Sequence, residues 1–279
     1  MLLNGIVAVG DIANGNSTFK LKKHSTIKYH TFLEVFSLDS NAVEDIVERT
    51  NSLKKEYHDP SRISITPHAP YSMSENLVET VNKISRDIIT IHNQETESEN
   101  ELFSSKSGRL YEQLSRINEN IKDWVPTGKK SLPSYLPMYD PNKKILLVHN
   151  TFTDKKDVEF ASNYSNNIYW CFCPNANEYI EGKQPDYNLF LNKKCTIGTD
   201  SLASNWSLSI LDELKTITKK DPSISLETLI QWATFNGAEF LGFDELGCIE
   251  IGKIPGLNLI ENVDLAELKL TSNSKINVL

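Results

Sequence analysis

The run Ile91-His92-Asn93-Gln94-Glu95 sets an imidazole and a carboxylate three residues apart. If the histidine ends a strand, both groups can face one cavity, the first as metal ligand and the second as proton shuttle. Many exposed surfaces carry H-x-x-E by chance, so the spacing alone decides little. Val148-His149-Asn150 closes another apolar run, where a lone histidine serves equally well as a hydrogen-bonded core residue. Gly198-Thr199-Asp200-Ser201 puts a carboxylate after a third run, where helix capping is a common task for aspartate. Pro67-His68-Ala69-Pro70-Tyr71 holds a histidine in a turn between two prolines. Each motif is ambiguous in isolation. Together, His68, His92, His149 and Asp200 stand at or just past the C-terminal ends of four strand-like runs, a coincidence that chance does not supply. His24, His30 and His58 instead fit a loop, the early part of a strand and a helix end, and read as structural or solvent-exposed.

Seven β-branched or aromatic runs must position these groups: Gly5–Asp11, Ile27–Phe36, Arg62–Thr66, Ile88–His92, Ile145–His149, Ile168–Cys173 and Cys195–Asp200. Several are nearly continuous apolar stretches, as in parallel strands covered on both faces. Helical periodicity lies between them at Asn41–Lys55, Met73–Arg86, Asp154–Tyr164 and Leu208–Thr218, with Ser74 suited to start the second. Sustained strand–helix alternation predicts a parallel α/β fold. An open doubly wound sheet would be expected to carry a Gly-rich phosphate turn after an early strand, yet Ile12-Ala13-Asn14-Gly15-Asn16 has neither G-x-G-x-x-G nor a P-loop. Polar residues converging from strand ends favour a TIM (β/α)8 barrel, of which seven strands are one short. The polar segment Asn93–Leu136, with helical stretches near Lys106–Asp123, reads as a lid or as an inserted structural helical pair. After Gly247, Cys248–Lys253 and Gly256–Ile260 read as short strands. The expected division is therefore 1–246 for the barrel and 247–279 for a β appendage.

The chain's 279 residues suit one large domain. A net charge of -8 disfavours nucleic acid and anionic membranes as partners and leaves a small molecule as the expected one. Cys171, Cys173, Cys195 and Cys248 form no C-x-x-C pair and read as small buried hydrophobes in a reducing compartment. No run approaches the roughly 20 apolar residues of a membrane helix, and the N-terminus lacks signal-peptide features. A cytoplasmic protein is expected, with homo-oligomerisation left open.

The motifs P-H-A-P-Y-S, I-H-N-Q-E-T, V-H-N, C-P-N-A-N and G-T-D-S-L-A-S-N resemble, in order and approximate spacing, the amidohydrolase superfamily. They are most similar to its metal-dependent deaminase and chlorohydrolase subgroup, over about Gly5 to Ile260. The tail G-x-I-E-x-G-K-x-P-G-L-N-L resembles the returning strands of that subgroup's small β-sandwich. The resemblance implies hydrolysis of a carbon–nitrogen bond outside peptides, as in deamination of a purine-like amine, by water activated on one divalent metal, Zn2+ or Fe2+. By the same resemblance His92 and Asp200 are metal ligands. Glu95 is the acid/base, His149 orients the water and polarises the reacting carbon, and Asp200 accepts a proton. His68 contacts substrate, and Asn177 supports the seventh-strand loop.

The pattern also departs from that family. No two histidines stand two apart, so the H-x-H of a first barrel strand is missing from this sequence. The expectation is therefore a barrel holding strands two to eight, with an incomplete metal site, weak metal binding and little turnover. Open edges on the second and eighth strands would make the isolated chain poorly soluble or dependent on a partner. A catalytically inactive remnant and a dehalogenating chlorohydrolase are the competing readings. The unrelated cytidine-deaminase type needs H-x-E and P-C-x-x-C, which Cys171-Phe172-Cys173-Pro174 does not match.

Overall fold

The computed structural model describes the backbone of residues 1–279 and every side chain other than that of Asn120. Each of the seven apolar runs forms a strand. They are β1 (Ala8–Ala13), β2 (Lys28–Val35), β3 (Ile63–Pro67), β4 (Ile88–Asn93), β5 (Lys144–His149), β6 (Ile168–Phe172) and β7 (Cys195–Ile197). Two boundaries differ from expectation for local reasons. Gly5 ends a short 3-10 turn at φ 71°, so β1 starts three residues later than its apolar run. β7 stops at Ile197 as the chain turns into a loop where Asp200 takes φ 56°, outside the strand region.

Two compact units divide the chain. The first comprises Gly10–His24 and Tyr29–Ile168; the second comprises Met1–Val9, Ser25–Lys28 and Tyr169–Leu279. In the first unit β2 and β3 are parallel, with Glu34 beside Thr66 and Val35 beside Pro67. β4 and β5 are also parallel, with Asn93 beside His149, so the ends of these strands deliver their polar residues at one level. The helices there are α1 (Phe19–Lys23), α2 (Val43–Glu56), α3 (Glu75–Ile84), α4 (Glu97–Ser105), α5 (Gly108–Ile117), α6 (Ser131–Tyr135) and α7 (Lys155–Tyr164). Ser74 caps α3 by accepting from Leu77 N, and the helix buries Leu77, Val78 and Val81 on one face. Asp154 and Asp157 form a reciprocal capping box at the start of α7.

The segment Asn93–Leu136 contains α4, α5, a 3-10 turn at Glu119–Lys122 and α6. Leu102, Phe103, Leu114 and Ile121 form a small core there, joined by Tyr71 and Trp124. Helical structure extends beyond the expected Lys106–Asp123 because Gln94, Asn100 and Ser131 give α4 and α6 polar anchors that apolar periodicity does not register.

The second unit holds α8 (Pro174–Glu181), α9 (Ile210–Lys220), α10 (Leu226–Ala233) and α11 (Phe235–Leu241). β6 and β7 are parallel, Trp170 beside Cys195. Phe172 packs against Tyr187, Phe190 and Trp232 at ring-centroid distances of 5.1, 5.0 and 5.5 Å. Three of the cysteines, Cys171, Cys173 and Cys195, are buried, while Cys248 is half-buried. At the C-terminus β8 (Asn258–Glu261) pairs antiparallel with β9 (Lys275–Val278). Cys248–Lys253, expected as a strand, is turn and irregular backbone with Ile249 and Ile251 exposed. Its alternating apolar residues have no sheet to cover. Among the described residues, no helix is long and apolar enough to cross a membrane.

Candidate active site

A histidine stands at or within one residue of the end of each of β3, β4 and β5, and the first unit brings the three rings together. His68 and His92 have ring centroids 5.0 Å apart; His92 and His149 stack at 5.5 Å with planes 24° apart. Glu95, three residues past His92 in the loop between β4 and α4, places Oε1 3.5 Å from His149 Nε2. Four of the six residues singled out in the sequence, His68, His92, Glu95 and His149, thus form one cluster.

Backbone geometry at this cluster is unusual for residues bearing a Cβ. Gln94, His149 and Asn150 adopt φ 44°, 75° and 59°, a region costing about 1–3 kcal/mol per residue that persists only where its surroundings enforce it. A buried amide lattice does so here. Asn93 donates to Asn150 Oδ1 (2.9 Å) and accepts from Tyr135 OH (2.8 Å). Gln94 donates to Asn100 Oδ1 (2.9 Å) and Asp157 Oδ2 (3.0 Å) and accepts from Thr153 (2.7 Å). These bonds tie the turns after β4 and β5 to α4, α6 and α7, fixing the direction of Glu95 and His149.

The imidazole tautomers follow from their partners. The His68 carbonyl accepts from His92 backbone N (2.9 Å) and, at 2.7 Å, from His92 Nδ1. A carbonyl can only accept, so His92 Nδ1 carries the proton and neutral His92 keeps its lone pair on Nε2. His68 Nδ1 lies 2.9 Å from Ser72 Oγ, whose hydroxyl donates to the Ala69 carbonyl. His68 therefore donates from Nδ1 and also keeps its lone pair on Nε2. Burial first, and then the neighbouring His92, hold the His68 pKa below the usual histidine range, favouring the neutral ring.

Sequence reasoning missed Glu34. It lies on β2, 7% exposed, with Oε1 3.6 Å from His92 Nδ1. Oε2 accepts from Asn14 Nδ2 (3.0 Å), whereas Oε1 is sealed from solvent and meets no hydrogen-bond donor among the described residues. One potential ligand atom from each of Glu34, His68 and His92 lies within 4.8 Å of the other two. A divalent cation fits these residues: two imidazoles and an orphaned buried carboxylate oxygen are donors of the kind zinc takes.

In the second unit Asp200 is exposed and does not cap a helix. Its Oδ1 accepts from Ser201 N (2.6 Å) and Oδ2 from Ser204 Oγ (2.7 Å), and α9 is capped by Ser209 instead. Gly198 permits the tight path into this loop, since a Cβ there would sit 3.0 Å from Cys171 Sγ and 3.2 Å from Cys173 Sγ. Asn205 holds the Thr199 carbonyl (2.6 Å) and also donates to Glu213 Oε1 (2.7 Å). Glu213, fully buried on α9, further accepts from the backbone N (2.8 Å) and Nδ2 (3.0 Å) of Asn175. One carboxylate thereby fastens both the C-P-N-A-N and G-T-D-S-L-A-S-N segments. Burial pushes its pKa up to about 7 against the lowering effect of those bonds. Asn177 is buried on α8, its backbone N donating to the Cys173 carbonyl (2.9 Å).

Among known proteins, the chain is 24% identical over 272 residues to the aminodeoxyfutalosine deaminase of Nitratiruptor sp., covering 94% of this chain and 65% of that protein. The chain thus spans less than two thirds of that relative's length. The crystal structure of Helicobacter pylori aminofutalosine deaminase in complex with methylthio-coformycin superposes with a TM-score of 0.82 at 24% identity, covering 97% of this chain and 67% of that one. A variant of atrazine chlorohydrolase from Arthrobacter aurescens, complexed with zinc and atraton, gives 0.70 at 17% identity, covering 92% and 60%. These likenesses establish an α/β fold of the TIM-barrel hydrolase kind over most of the chain. The Amidohydrolase family model matches residues 1–278, and the chain belongs to the Amidohydrolase family.

Proposed function

We propose that this protein hydrolyses a carbon–nitrogen bond outside peptides, removing ammonia from a purine-like heterocyclic amine. The observation that carries the reading is the pairing of Glu95 with His149, 3.5 Å apart, beside the stacked His92 ring. A divalent cation, when bound, supplies a nucleophile at neutral pH by lowering the pKa of water toward about 7. His92 would hold it through the Nε2 lone pair that the His68 carbonyl preserves. Glu95, one-fifth exposed, can take a proton and return it to the departing nitrogen, while His149, nearly fully buried, stays within ion-pair reach to orient that carboxylate and polarise the reacting carbon. For Asp200 and Asn177 the resemblance is the support: the first as a further ligand and proton acceptor, the second as a brace for its loop. Zinc in the solved chlorohydrolase complex favours Zn2+ as the ion.

A dehalogenating reading has that same neighbour in its favour. Chloride leaves as a stable anion without a proton, whereas ammonia does not. A carboxylate poised at Glu95 therefore suits an amine leaving group better.

The test is ammonia release from a panel of aminopurine nucleosides by zinc-loaded protein, alongside chloride release from a chlorotriazine. Glu95→Gln should lower the ammonia rate by about 10²–10⁴-fold, the usual worth of a positioned acid/base. Chloride release alone would replace this reading with the dehalogenating one. Silence on both panels would identify an inactive chain.

A further inference from the structure

Val35, the last residue of β2, lies beside Pro67 in the sheet, so Phe36 stands level with His68. The backbone around Phe36 is held on both sides. The Val35 carbonyl accepts from His68 N (3.0 Å), and the Ser37 carbonyl accepts from Ser74 N (2.7 Å). Its neighbours in the chain are absorbed by the fold: Val35 is buried, and Leu38 packs against the small core of the Asn93–Leu136 segment. The Phe36 ring is not, and 55% of its residue surface is exposed. On a loose loop such a ring could turn inward; on a braced segment it stays in water, at a cost that a bound apolar group would relieve. The ring is also placed at the site. Its centroid lies 5.8 Å from that of His68, with planes 63° apart. Tyr71, half-buried against the same small core as Leu38, meets the same imidazole at 6.0 Å and 87°. A flat ring is the partner such a wall takes, since aromatic faces and edges attract other rings and every heterocyclic base has a face to stack. Nearby charge selects among flat rings. Burial first, then Glu99, Glu95 and Glu34, raise the Tyr71 pKa above the ordinary tyrosine value, so negative potential from three carboxylates reaches this wall.

We propose that Phe36 is a specificity-determining residue whose exposed ring stacks an uncharged, flat nitrogen heterocycle beside His68 and Tyr71, while anionic rings are disfavoured there. The inference rests on the proposed function for the class of ring, an aminopurine, and adds the surface that holds it. Stacking serves the amine and its deaminated product alike, so Phe36 contributes to binding and not to the chemical step, which stays with Glu95 and His149.

The experiment is calorimetric binding of adenosine to the zinc-loaded full chain carrying Glu95→Gln, which stalls turnover during the measurement. Adenosine should bind. Ribose, which has no ring to stack, and nicotinate, a flat but anionic ring, should bind more weakly. Adding Phe36→Ala should weaken adenosine by about 5- to 150-fold, the range found when a stacking aromatic is truncated. Phe36→Trp should keep the affinity, and its indole fluorescence should be quenched by adenosine and not by ribose. Leu21→Ala removes an equally exposed apolar side chain on α1 and should change nothing. With Glu95 restored, Phe36→Ala should raise KM by the same factor and leave kcat nearly unchanged. Thermal melts confirm that each variant folds. Adenosine affinity unchanged in Phe36→Ala would overturn the inference, as would nicotinate bound as tightly as adenosine, or no adenosine binding at all. Adenosine bound through Phe36 without ammonia release by the chain with Glu95 intact would sink the deaminase reading and leave the stacking surface standing. Ammonia release with KM untouched by Phe36→Ala would do the reverse.

Discussion

Glu34 and Glu213 are both buried glutamates beside residues of the family-like motifs, and their environments differ in one respect. Glu213 accepts three hydrogen bonds, two from Asn175 and one from Asn205, and these span both oxygens. Glu34 accepts one, from Asn14, and Oε1 has none. A carboxylate that the fold has furnished with donors on both sides is an anchor: its partners exist to be held. One furnished on a single side, with Oε1 3.6 Å from His92 Nδ1 and no hydrogen bond to it, leaves half of its accepting capacity unused. Hydrogen-bond satisfaction thus separates the two acids where burial, nearly equal in both, does not.

The comparison is most severely tested by deleting the anchor. Glu213→Ala leaves the Asn175 and Asn205 donors buried and unpaired, so it should destabilise the second unit by about 3–5 kcal/mol, as losses of buried hydrogen-bonded charges do. Denaturant melts measure this. A loss below about 1 kcal/mol would mean that the bonds to Glu213 do not hold the two motif segments.

A smaller effect comes from pH. Burial is the main cause that raises both Glu213 and Glu99 from the ordinary glutamate value of 4.5 to about 7. Between pH 4.5 and 7 these groups retain a proton in the folded chain and lose it when unfolded. The folded state then binds more protons, so stability falls as pH rises through that window. Each contributes on the order of 3 kcal/mol at most. Glu213→Gln should flatten roughly half of the slope and Glu99→Gln the other half, read from melts at pH 4.5, 6 and 7.5. A rising slope would reverse the sign assigned to both groups.

The sequence carried the strands and the histidines because both leave local signals: β-branched runs for the first, and a polar residue ending each run for the second. Glu34 left none. β2 is buried continuously from His30 to Val35, so the alternation that would single out an inward-facing charge is absent. No fixed spacing links Glu34 to His68 or His92. Ser72 and Asn205 lie within motifs already noticed, yet their work, a tautomer in one case and a carbonyl in the other, needs coordinates. Glu213 looks like an ordinary residue in the first turn of α9, where acidic side chains are common. The returning strand β9 was missed for a related reason. Lys275-Ile276-Asn277-Val278 has only Ile276 half-buried, too little apolar pattern to be told from loop.

The finest discrimination is Glu34→Gln in cation-free protein. The substitution keeps an oxygen for Asn14 and removes a charge that Oε1 does not share with any donor. Stability should therefore change by no more than about 1 kcal/mol, and a gain is as acceptable as a loss, since replacing an uncompensated buried charge is often neutral or favourable. A loss above about 2 kcal/mol in the cation-free melt would place Glu34 with Glu213 as an anchor. The contrast between the two acids would then collapse, because the fold itself would be using the charge.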